Sequence, residues 1–166
     1  MIDLEQYRKN ARENNLCSEY SDIWDSCNSN KQIMDMCLGV KGVDFLCDSI
    51  AKNWGISPEV ICSKFGKFIN GKYVRDIDGY TSKIYCKYDG SVVADTTIVT
   101  LVGCNVDIRI PTNAICEVYC TEKCDIRVSG DGECVFVCYG NKDDIVISGE
   151  CRNYKRINKK NRDTYE

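Results

Sequence analysis

The chain has no histidine in its 166 residues. Without an imidazole there is no thiolate–imidazolium pair for cysteine catalysis and no histidine pair to hold a metal. Also missing are a glycine-rich phosphate loop and a nucleophile elbow. No stretch approaches the roughly 18 apolar residues of a membrane span. The start, Met1-Ile2-Asp3-Leu4-Glu5, lacks the basic-then-apolar layout of an export signal. Carboxylates are close together at Asp76 and Asp78 and at Asp143 and Asp144, beside Gly79 and Asn141, where a turn already favours aspartate. The expectation is a cytoplasmic, non-enzymatic protein with no cofactor and no membrane partner.

What is abundant is cysteine, at 13 residues. An odd count without an export signal reads as thiols and not as a disulfide framework. Cys27, Cys47, Cys116, Cys120, Cys134 and Cys138 stand where a periodic pattern wants an apolar side chain, and a thiol packs as a small hydrophobe. Zinc is the sharper alternative. Cys116, Cys120 and Cys124 recur every four residues, and Cys134 and Cys138 repeat that interval, within the range of finger spacings.

The pattern predicts an α+β chain with helical residues 1–71, a β-rich coil over 72–151 and a basic tail over 152–166. Leu4, Tyr7 and Ala11, then Tyr20, Ile23, Trp24 and Cys27, keep helical spacing, with a break at Glu13-Asn14-Asn15. Ser29 followed by Gln32 forms a capping-box signature. Phe45, Leu46, Ile50 and Trp54 line another helix, ending at Gly55. Ser57-Pro58-Glu59 supplies cap, first-turn proline and first-turn carboxylate for the next, whose stripe is Ile61, Phe65, Phe68 and Ile69 before Asn70-Gly71.

The run Ile50-Ala51-Lys52-Asn53-Trp54-Gly55-Ile56-Ser57-Pro58-Glu59-Val60-Ile61 resembles the core of a helix-turn-helix. That resemblance implies a second helix entering the DNA major groove. Pro58, Glu59, Cys62, Ser63 and Lys67 would face DNA, with Lys64, Lys72 and Arg75 available to phosphates. Lys64 departs from the family, which keeps that position apolar, and Phe65 stands next to it. A packing role within a helical bundle is the competing reading.

Beyond Tyr73, β-branched and aromatic residues dominate, as in Thr96-Thr97-Ile98-Val99-Thr100-Leu101-Val102. Asp107-Ile108-Arg109-Ile110 echoes at Asp125-Ile126-Arg127-Val128 and again at Asp144-Ile145-Val146-Ile147, 18 and 19 residues apart. Strands at a fixed period predict stacked rungs of a short solenoid, about three of them. The expected columns are Ile98 over Cys116 over Cys134, and Ile108 over Ile126 over Ile145. An antiparallel β-sandwich is the alternative. The coil weakly resembles the β-helices of polymer-forming bactofilins, which implies self-association or a protein partner at its ends.

Arg152, Lys155, Arg156, Lys159, Lys160 and Arg162 form a basic stretch without an acid among them. Setting these six aside leaves 16 basic residues against 25 acidic ones. Such asymmetry marks nucleic-acid contact, a solvated end or a tail folded against its own acidic body. The segments Gly79-Tyr80-Thr81-Ser82-Lys83 to Cys86 and Arg156-Ile157-Asn158-Lys159-Lys160 resemble uncharacterised small proteins of gut bacteria and their phages or mobile elements. The resulting expectation is a regulatory protein in a bacterial host cell that contacts DNA. The other is a structural or adaptor protein built around the coil.

Overall fold

The computed structural model describes residues 4–14, 18–39, 42–54, 56–75 and 79–159. Five helices come first: α1 (Leu4–Glu13), α2 (Ser18–Ser26), α3 (Asn30–Cys37), α4 (Gly42–Ala51) and α5 (Pro58–Phe65). Their starts follow local chemistry. The Ser29 hydroxyl accepts from the Gln32 N–H at 3.3 Å, and the Gln32 carboxamide accepts from the Asn28 N–H at 2.7 Å. That is the reciprocal logic of a capping box. Ser57 caps α5 through the Val60 N–H, with Pro58 in the first turn. The helix closes at Phe65, earlier than its apolar pattern suggests. Ile69 is still buried, but in the turn that follows. Gly55, the expected end of the helix before, lies outside the described residues.

The rest is strand: β1 (Val74–Arg75), β2 (Thr81–Cys86), β3 (Asp89–Val93), β4 (Ile98–Val102), β5 (Asn105–Ile110), β6 (Ile115–Thr121), β7 (Cys124–Cys138) and β8 (Ile145–Asn158). Apart from β1, which pairs antiparallel with β2, every pairing is parallel. The chain therefore winds as a solenoid of about four turns. We call the wall of β2, β4, β6 and the second halves of β7 and β8 sheet 1, and the wall of β3, β5 and their first halves sheet 2. After the sheet 1 strand of three successive coils, Lys87, Gly103 and Glu122 take left-handed φ values of +49°, +62° and +62°. The Lys87 N–H then donates to Val102 O at 2.9 Å and the Gly103 N–H to Thr121 O at 3.1 Å, so each turn is tied to the next.

The inner columns differ from those expected. Ile98 is opposite Glu117, not Cys116, while Cys116 is opposite Cys134 as expected. Val99, Val118 and Phe136 share one inward column, and Leu101, Cys120 and Cys138 another. Across the coil, Ile108 is opposite Val128, and Ile126 is opposite Ile147. The stretch read as a tail is strand over residues 152–158, since β8 continues to Asn158, and residues 160–166 lie outside the described residues.

The helices do not sit on an end of the solenoid but along the outer face of sheet 1. Val43 and Cys47 of α4 pack against Ile98, Tyr119, Val137 and Tyr139. α5 meets β2, so that Ile84, Cys86 and Val102 belong to the same core as Tyr7, Trp24, Leu38 and Ile61. Sheet 1 is thus buried on both faces where α4 crosses it, which is why β4, Ile-Val-Thr-Leu-Val, is buried at every position.

Candidate interaction surfaces

The helix-turn-helix-like segment is fixed between the other helices and the solenoid. Eight residues of α4 are buried, and the Tyr139 hydroxyl donates to its Asp44. The connection of α4 to α5, residues 52–57, is longer than the three or four residues of a DNA-reading turn. α5 packs on α3 and on β2. At its first turn the Cys86 thiol donates to Pro58 O at 3.4 Å. Glu59 accepts from Lys87, and that hydrogen bond above all holds the exposed carboxyl down to about 2. Cys62 lies against Cys86, whose pKa burial, then Cys62, pushes up.

Pro58, Glu59 and Cys62 therefore engage the first coil. Ser63, Lys64 and Lys67 are on the other side of α5, where with Lys31 and Phe68 they line a groove of about 440 Å³. Lys72, just before β1, and Arg75, within it, are exposed. The structure brings Lys64 and Lys67 together and separates them from Pro58, Glu59 and Cys62.

Eleven described cysteines form no disulfide, nine of them buried. Cys116, Cys134, Cys120 and Cys138 face inward in register-paired couples on β6 and β7, and Cys124 faces inward at the start of the sheet 2 half of β7. Burial pushes Cys116 and Cys124 up to about 12, so both stand as protonated thiols in the packed interior. Among the described residues no three His, Cys, Asp or Glu are grouped to hold a metal. Asp143 and Asp144 sit in a 3-10 turn before β8, and Asp76 and Asp78 lie outside the described residues.

The two ends of the solenoid are unlike. At the first coil, β1 covers the start of β2, and the Asn70 side chain and backbone cover its end, accepting from the Cys86 N–H at 3.0 Å and donating to Ile84 O at 2.8 Å. Inside, Lys83 points down the coil where Val99 stands one rung later. Its ammonium is 2.7 Å from Asp95 and 4.3 Å above the Tyr73 ring, and the Tyr73 hydroxyl donates to Asp95 at 2.5 Å. On the sheet 2 side, the Tyr88 ring packs on Tyr85 at 5.0 Å and lies over Gly90 of β3.

At the last coil nothing comparable occurs among the described residues. β8 pairs with β7 alone, through both of its halves. Val146 is 52% exposed, Ile157 45% and Tyr154 38%. Lys155 is exposed and Arg156 half-buried within the strand, and Lys159 follows it. Arg152 falls in the strand, while Lys160 and Arg162 lie outside the described residues. This open edge is the surface that the sequence presents only as a charged tail. No apolar alternation announces it, since Tyr154, Arg156 and Asn158 on one face and Asn153, Lys155 and Ile157 on the other each mix apolar and polar residues.

No helix among the described residues is long and apolar enough to cross a membrane. No family model, no curated protein and no solved structure matches the chain.

Proposed function

We propose that this chain is a non-enzymatic interaction protein of a bacterial cytoplasm, whose open last coil recruits a protein partner by strand pairing along β8. One observation carries the reading: the first coil is sealed by β1, Asn70 and the Tyr73–Lys83–Asp95 cluster, whereas β8 has no strand on its far side among the described residues. An unprotected edge of this length is a template for another strand. The helical half, laid along sheet 1, leaves that edge accessible. The test compares proteins captured by the wild type, by Arg156→Pro and by Lys64→Glu/Lys67→Glu. A partner that binds through the edge is lost with Arg156→Pro alone; a partner indifferent to that change sinks the reading.

A second reading, contact with nucleic acid, is favoured by the clustering of Lys31, Lys64 and Lys67 around one groove. Fluorescence anisotropy with duplex and single-stranded DNA at two salt concentrations tests it. Salt-sensitive binding lost in Lys64→Glu/Lys67→Glu supports it, because phosphate contacts release counterions. Absence of binding at micromolar protein rejects it.

A further inference from the structure

The backbone of β8 states which of its groups await a partner. In a parallel ladder, alternate residues turn both N–H and C=O to the same neighbour. The Lys159 N–H donates to Cys138 O at 2.8 Å, so Asn153, Lys155 and Ile157 bond to β7, and Tyr154, Arg156 and Asn158 face the open side. In sheet 2 the Asp125 N–H donates to Cys104 O, which leaves the even residues of β7 for β8. By the register of Cys124 with Ile145, Val146 and Ser148 face β7, and Ile145, Ile147 and Gly149 face out.

The charge of β8 is split along the same line. Its sheet 1 half carries Lys155 and Arg156 and runs into Lys159, whereas its sheet 2 half begins after Asp143 and Asp144 and contains Glu150. A copy stacked head to tail would need the first coil, whose sheet 1 edge is occupied by β1 and Asn70. A two-fold axis instead joins one last coil to another and makes the new strand pairs antiparallel. Of the two-fold arrangements, one sets like halves together, basic on basic. The other crosses them.

We propose that the partner is a second copy of this chain, joined by the crossed two-fold so that the sheet 1 half of each β8 lies antiparallel on the sheet 2 half of the other. The inference rests on the reading of β8 as the interaction edge. One register satisfies the ladder, with Tyr154 opposite the partner's Gly149, Arg156 opposite the partner's Ile147 and Asn158 opposite the partner's Ile145 as the hydrogen-bonded pairs. On the outer face the same register sets exposed Ile157 against the partner's exposed Val146, and Lys159 against the partner's Asp144. Apolar meets apolar, and the partner's Asp144 becomes a second carboxylate for the Lys159 ammonium, which is 3.6 Å from Asp44 of its own chain.

Sedimentation equilibrium of the full reduced chain tests this, with a dimer of twice 18.8 kDa expected. Arg156→Pro removes an outward N–H without touching the β7 ladder and is expected to give a folded monomer by circular dichroism. Lys159→Glu and Asp144→Lys each weaken their own homodimer, and an equal mixture of the two forms a heterodimer, in which the unlike charges at 159 and 144 again face each other. A wild type that stays monomeric overturns the proposal. So does a dimer that ignores Arg156→Pro, or single variants with no rescue on mixing. A dimer that appears only when the chain is ended after Lys159 shows that its own tail fills the edge, and overturns it equally. A monomer that still captures another protein through an Arg156-sensitive edge leaves the proposed function standing and removes only the second copy.

Discussion

Lys83 and Asp95 pair at 2.7 Å on the inside of the first coil, where an ammonium takes the place that Val99, Val118 and Phe136 hold in the coils after it. Lys83 is 7% exposed and Asp95 37%, so the pair forms a polar stopper on the packed apolar core of the coil. Desolvation works against the charge of each group, and the hydrogen bonds among Lys83, Asp95 and Tyr73 outweigh it, leaving Lys83 raised and Asp95 lowered. Asp95→Asn leaves the ammonium without its counter-charge. With solvent screening at the partly exposed carboxylate taken into account, it is expected to cost about 1–2 kcal/mol in urea unfolding. Because Asp95 is held below its ordinary value, its contribution is present above the unfolded aspartate pKa near ~3.9. It fades as pH falls through the folded value, so the acid limb of the stability curve should be shallower in Asp95→Asn.

The thiols make the alkaline limb steep. Burial first of all pushes Cys37, Cys116 and Cys124 up to about 12, while the unfolded chain ionises its cysteines near pH ~8.5–9. Stability is full below that pH and is lost as pH rises toward the folded values, at about 1.4 kcal/mol per pH unit for each thiol. For these three the slope is roughly 4 kcal/mol per unit. Urea titrations at successive alkaline pH values check it, and Cys116→Ala should reduce the slope by its own share of about 1.4 kcal/mol per pH unit, since burial pushes up Cys47, Cys86, Cys104 and Cys120 as well.

Native thiol labelling should be ordered by burial. Cys27 and Cys62 are half-buried and the other nine described cysteines buried. Timed alkylation with peptide mapping is expected to mark Cys27 and Cys62 first among these eleven, and the remainder only with unfolding. Labelling of Cys120 as fast as Cys62 would be incompatible with the packed core.

Two glycines set how closely the coils approach. Gly130 has φ +104°, and a Cβ there would sit 2.1 Å from Ile110 O; Gly149 has φ +106° and would meet Val128 O at 2.3 Å. Both contacts are backbone of the preceding coil and cannot swing away. Gly130→Ala is expected to lower stability by roughly 3 kcal/mol or more, since strain and overpacking add. Gly140→Ala, with φ +94° and open space, bears the conformational cost alone, about 1–2 kcal/mol. Thermal melts of the two variants separate the effects.

Much of the architecture was legible in the residues. Ser29 with Gln32, and Ser57 with Pro58, announce helix starts because capping is local chemistry, and the echo of strands announces stacking. Register was not legible, for a physical reason. Ile98, Thr100 and Val102 look outward onto the helical half yet are as buried as Val99 and Leu101, so no alternation tells the faces apart. In the other wall, matching Asp-Ile-Arg-Ile by letter slips the pairing by two residues: Asp107 is opposite Arg127 and ion-pairs with it at 2.5 Å. The open edge was hidden for a different reason: Lys155 and Arg156 look like a solvated tail until the ladder from Glu133 to Cys138 supplies their partners.

Coil length is the feature with the widest consequence. In sheet 1, Ser82 meets Ile98 sixteen residues on, Ile98 meets Glu117 nineteen on, and Cys134 meets Tyr154 twenty on. In sheet 2 the step grows from sixteen, Asp89 to Asn105, to twenty-one, Cys124 to Ile145. Successive turns are therefore not interchangeable modules. Unequal crossing-over, which lengthens uniform repeat arrays by whole units, would here join a short winding to a long one and misalign every strand after the junction.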